Sequence, residues 1–155
     1  MKNQAIPIRY GFFIAAALIV YFLLLSLLGL HTNPYFSLFN AVITGVGIYW
    51  CIKKYQEYKG VKFKYQKGFM AGIVSGFIAT FVFTLFFGIY ATNFDATFLN
   101  EIAQGRRAEN NISVAAILFV VATMGFASSL IITFSFMQFF KSSWNTKETN
   151  KNIAS

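Results

Sequence analysis

The chain has 155 residues, 57% of them hydrophobic and only 12% charged, with 20 phenylalanines, a balance far from that of a soluble domain. Its net charge of +8 falls in short blocks between apolar runs rather than on one polar face, which excludes a nucleic-acid binder. One cysteine, Cys51, and one histidine, His31, exclude an intrachain disulfide, a bis-histidine haem and a histidine-cluster metal site, so no cofactor is expected.

The composition predicts instead an all-α polytopic membrane protein, a single integral membrane domain over residues 1–155 with four transmembrane helices. The first is expected at residues 10–30, an uncharged run after the basic segment MKNQAIPIR, where Pro7 suits the start of a helix. The run is longer than the apolar part of a signal peptide, and Ser26-Leu27-Leu28-Gly29-Leu30 is a poor cleavage site, so it reads as a retained span. His31-Thr32-Asn33-Pro34 reads as a turn, because Pro34 biases Asn33 away from helix and can itself start the next one.

The second helix is expected at residues 35–52, and it is the shortest and most polar of the four, with Asn40, Thr44, Gly45 and Gly47. Asn40 and Thr44 lie one turn apart, which suits either an interhelical hydrogen bond or the polar lining of a solute path. Residues 53–67 follow, with Lys53, Lys54, Lys59, Lys62, Lys64 and Lys67 among four aromatic residues. This reads as a cytoplasmic loop under the positive-inside bias, with anionic lipid headgroups as a secondary partner. Cys51 reads as a small residue at the membrane boundary.

The third span, residues 68–91, carries small residues at every fourth position: Gly68, Gly72, Gly76, Thr80, Thr84 and Gly88. Such a row is one ridge of a helix with no bulk on it, so another helix can approach closely. Residues 92–111 form a polar loop long enough to hold structure of its own, and Phe94, Phe98 and Ile102 with Asp95 as a cap predict a short interfacial helix at 95–104. The last span is expected at residues 112–140, where Ala115, Ala122, Gly125, Ser129 and Thr133 form a second small stripe and the phenylalanines fall towards lipid. Counting inward from the cytoplasmic ends puts Gly76 and Thr80 of the third span at the depth of Ser129 and Gly125 of the fourth. Residues 141–155 have the composition of a flexible cytoplasmic tail.

Eleven of the 13 basic residues fall on one side of these spans and only Arg106 and Arg107 on the other, so both termini are expected in the cytoplasm. Tyr10, Trp50, Tyr65 and Trp144 would line the inner interface, Tyr35 and Tyr90 the outer one.

Nearly the whole chain resembles a bacterial family of small four-helix membrane proteins, domain-of-unknown-function family 4199. The resemblance is carried by Gly60, Phe63, Tyr65, Gly68, Phe69 and Gly72 in GVKFKYQKGFMAG and by the outer segment NFDATFLNEIAQ. It implies four membrane helices in a bacterial inner membrane and assigns no activity, so it transfers no functional residues.

None of the four spans contains Asp, Glu, Lys, Arg or His, which argues against proton coupling and against an intramembrane aspartyl protease. His31 belongs at the outer surface, Cys51 and Ser128, Ser129 and Ser135 towards the inner side, so no serine or cysteine nucleophile meets a histidine base. An enzyme is not expected. The outer charged group Glu101, Arg106, Arg107 and Glu109 suits a solvated loop with local ion pairs, or a solute or partner contact. Two readings remain: a structural or accessory membrane component acting through helix–helix packing, with a second copy or another membrane protein as partner, or an oligomeric pore or transporter subunit for a small solute.

The charge asymmetry generates a topology test. In a Cys51→Ser background, cysteines at Asn33 and Gln104 should react with an impermeant maleimide in intact cells while those at Lys59 and Ser155 stay protected; the reverse pattern would refute the orientation.

Overall fold

The computed structural model describes residues 5–29, 34–60, 63–93 and 114–140, all within four helices and their adjoining turns. The helices are α1, Ala5–Leu27, α2, Pro34–Lys59, α3, Tyr65–Asn93, and α4, Val114–Phe139. α1, α3 and α4 are each long and apolar enough to cross a membrane. The interfacial helix expected at 95–104, the turn at 31–33 and the tail beyond residue 140 lie outside the described residues.

The boundaries differ from expectation mainly at α2, which runs past Ile52 through seven further residues, KKYQEYK. Lysine, glutamine and glutamate are good helix formers, and Lys54 pairs with Glu57 one turn on at 3.0 Å, so nothing in that stretch stops the helix. What stops it is Gly60, whose φ of 51° is left-handed and open to glycine at little cost. α1 ends the same way, with Gly29 at φ 66° after Leu27. Half of the lysine-rich stretch is therefore a helical extension of α2 rather than a loop. α1 also starts earlier than expected, with Pro7 in its first turn, where its missing N–H leaves no helical bond broken.

The helices are arranged around α3, which packs against all three others. α2 and α3 pack against each other, and α1 and α4 each pack against both of them from either flank. The core between them is built from Ile14, Leu18, Ile48, Ile52, Ala79 and Met137. Towards the ends of α1 and α3 that the basic asymmetry assigns to the outer side, a second cluster forms around Phe22, with Phe87, Ala91 and Ile117. The Phe22 ring meets Phe83, Phe86, Phe87 and Tyr90 edge-on, at centroid distances from 5.1 to 6.2 Å, the geometry that sets positive ring edges against negative faces. Tyr90 thus packs against Phe22, and its hydroxyl hydrogen-bonds Ser26 on α1. On α4 the expectation for phenylalanine does describe Phe119, Phe134 and Phe139, which are exposed.

Candidate functional site

The residues singled out in the sequence meet along the seam between α3 and α4. Gly72 faces Thr133, Gly76 faces Ser129, and Thr80 faces Gly125, so each four-residue step along α3 is matched by a four-residue step back along α4. These are the pairs that share a depth when two antiparallel spans are counted from the same side. At each level one partner is a glycine and the other a hydroxyl residue, and the fit is tight. A Cβ on Gly76 would stand 2.6 Å from the Ser129 Cβ, one on Gly72 2.6 Å from the Thr133 Cγ2, and one on Gly125 2.5 Å from the Thr80 Cγ2. No side chain fits there without moving the helices apart.

The seam does not continue unchanged to its ends. At Gly68 the nearest group is the Phe63 ring, with Met137 of α4 behind it; at Gly88 it is Leu118. Ala122 and Thr84 are half-buried, and Ala115, expected on the stripe, is exposed. Hydroxyls on the seam do not join the two helices: Ser129 Oγ donates to the Gly125 carbonyl of its own helix at 2.8 Å, and Thr133 Oγ1, like Thr84 Oγ1, is buried with no partner. The attraction here is close van der Waals contact of backbones, where an interhelical hydrogen bond would have been the other option.

α3 has a second small row that the sequence reading missed. Ala71, Ser75 and Ala79, again four apart, are all essentially buried. Gly11 of α1 comes against this row, where a Cβ would lie 2.8 Å from Ile78 and 3.0 Å from the Ser75 carbonyl. Gly47 of α2 sits directly against Ile14 of α1 in the same manner. The available signal was a lone glycine early in the first span and an alanine-serine-alanine row at the spacing already used for the glycines.

α2 supplies the wedge. Asn40, Thr44, Ile48 and Ile52 recur every four residues, and the stripe is polar at one end and apolar at the other. Thr44 is buried at 8% exposure, Asn40 is half-buried with its Oδ1 unpartnered, and Ile48 and Ile52 have no exposed surface. The isoleucines reach the α3–α4 seam, with Ile48 Cδ1 3.3 Å from the Cβ position of Gly76 and Ile52 Cδ1 3.2 Å from that of Gly72. A path starting at Asn40 and Thr44 therefore ends on isoleucine. Beside them Cys51 is fully buried and its thiol points to the Ala71 carbonyl at 3.7 Å, an internal contact of α2 with α3.

The lysines are outside this core. Lys54 and Glu57 are exposed on the α2 extension, and the hydrogen bond and charge of Glu57 raise the Lys54 pKa above its ordinary value. Lys59 lies 5.8 Å from the ring centres of both Tyr55 and Tyr58, within cation–π range. Among the described residues no three His, Cys, Asp or Glu side chains gather where a metal ion could be held. No family model, curated protein or solved structure matches this chain.

The seam predicts an asymmetric response to bulk. Gly76→Leu should destabilise the protein in detergent by about 1–3 kcal/mol through overpacking, whereas Phe81→Leu, at an exposed position on the same helix, should cost under about 1 kcal/mol. Equal thermal midpoints for the two variants would show that the seam is not a close contact.

Proposed function

We propose that the protein is a structural or accessory component of the bacterial inner membrane, spanning it four times with both termini in the cytoplasm, as the resemblance to family 4199 and the basic asymmetry imply. α2 is the fourth span on this reading. Its apolar part, residues 35–52, is shorter than the other three, and α2 sheds its polarity inward by packing against both α3 and α4. The short interfacial helix at 95–104 belongs to the same proposal. So does the absence of enzyme chemistry, since no Asp, Glu, Lys, Arg or His stands in the four spans to act as acid or base.

One observation carries the choice of an accessory role over a pore. The space where a bundle of four would enclose a channel is occupied by the α2–α3 contact, with Ile48 and Ile52 driven into the α3–α4 seam. A single chain packed in this way acts on its surroundings through its outer surface, by binding another membrane protein or a second copy of itself.

The second reading, an oligomeric pore or carrier subunit, is favoured by Asn40, whose buried Oδ1 has no donor. In a membrane such an atom calls for a donor, and either water in a path or a polar group of a partner helix would supply it. Thr44 separates the two cases, because it lies one turn deeper. A cysteine at Thr44, in a Cys51→Ser background, should stay unreactive to water-soluble thiol reagents, since the thiolate forms only where water reaches. Rapid labelling there, together with solute flux in reconstituted vesicles, would overturn the accessory role in favour of the pore.

A further inference from the structure

At the basic end of the molecule the start of α1 and the extension of α2 enclose an open groove of about 460 Å³, lined by Ile6, Arg9, Tyr10, Lys54, Glu57 and Tyr58. Its apolar wall is fixed from below: Ile6 and Tyr10 pack on the buried cluster of Cys51, Tyr55 and Ala71. Its charges are unequal. Glu57 is engaged by Lys54 at 3.0 Å, whereas Arg9 has no carboxylate partner among the described residues and is exposed in the groove. The lining therefore keeps one net positive charge, on a guanidinium whose planar donors suit two oxygens of a phosphate.

The position of the groove narrows the occupant. Below Arg9, α1 continues as an uncharged span with Phe12 and Phe13 exposed, and above Ile52, α2 becomes charged. The groove thus opens where hydrocarbon gives way to headgroups, and a ligand seated there meets cations and tyrosines at one end and apolar side chains at the other. We infer that this groove binds one anionic phospholipid of the cytoplasmic leaflet, a phosphatidylglycerol-type headgroup with its phosphodiester at Arg9 and Lys54 and its acyl chains along α1. Glu57 suits a headgroup that presents hydroxyl donors and no second negative charge. This rests on the membrane reading above and adds a partner to it.

Native mass spectrometry of the full chain in nanodiscs of equal phosphatidylglycerol, phosphatidylethanolamine and phosphatidylcholine tests the assignment. The wild-type chain should keep one phosphatidylglycerol in preference to phosphatidylcholine. With about a fivefold change in affinity for each surface cation removed, Arg9→Gln with Lys54→Gln should lower that retention by about 25-fold. Lys53→Gln combined with Lys59→Gln removes the same number of charges from α2 outside the groove and should lower retention of that one lipid far less than 25-fold. Equal loss in the Lys53 and Lys59 double variant would reduce the effect to general surface charge and overturn the site. So would preference for phosphatidylethanolamine in its place, or displacement of the lipid by inorganic phosphate, which would make the site one for a free anion. A chain that enters nanodiscs without lipid preference refutes this inference alone, and a chain that does not enter them refutes the membrane reading with it.

Discussion

The close approach of backbones along α3 is the constraint on which the other contacts depend. Lipid tails are as apolar as leucine, so burying a leucine between two membrane helices gains little over leaving it in the bilayer. Association must come from contact density, which rises steeply as helices approach. α3 provides for this on two faces, Gly72, Gly76 and Thr80 towards α4 and Ala71, Ser75 and Ala79 towards α1 and α2. With both faces cleared of bulk, α2 is left to supply volume, and Ile48 and Ile52 fill the angle between the seams.

The membrane also explains how the polar atoms are handled. Ser75 and Ser129 donate to carbonyls of their own helices, Gly72 and Gly125, at 2.9 and 2.8 Å, so each hydroxyl is satisfied without a partner helix. Between helices, Tyr21 reaches the Phe36 carbonyl at 2.9 Å and Ser26 meets Tyr90, and these links tie α1 to α2 and to α3 near the C-terminal end of α1. The hydroxyls of Thr84 and Thr133 and the amide oxygen of Asn40 remain buried and unpartnered. Asn40 is the one among them on the polar end of the α2 stripe, where a partner helix or water would arrive.

The all-α fold and the three helices apolar enough to cross a membrane were legible because uncharged runs of bilayer length have few other uses, and the α3–α4 seam was legible because glycines at a four-residue spacing mark a ridge. The second α3 row was not, since alanine and serine in an apolar span do not stand out until a neighbour such as Gly11 is seen against them. The Tyr90–Ser26 contact was not legible either, because a tyrosine at a span boundary looks alike whether or not its hydroxyl meets a neighbouring helix. The extension of α2 was hidden by charge: KKYQEYK reads as a topology signal, and the same residues are good helix formers until Gly60.

The central claim, that α3 and α4 are held by glycine against hydroxyl at matched levels, is tested most directly by exchanging the two sizes. Gly76→Ser places a Cβ 2.6 Å from the Ser129 Cβ, and Ser129→Gly removes that Cβ. Thermal unfolding in detergent of both single variants and the double variant should show each single variant less stable than wild type. The double variant should recover most of the loss, a coupling of at least about 1 kcal/mol. Losses that simply add in the double variant would contradict the account.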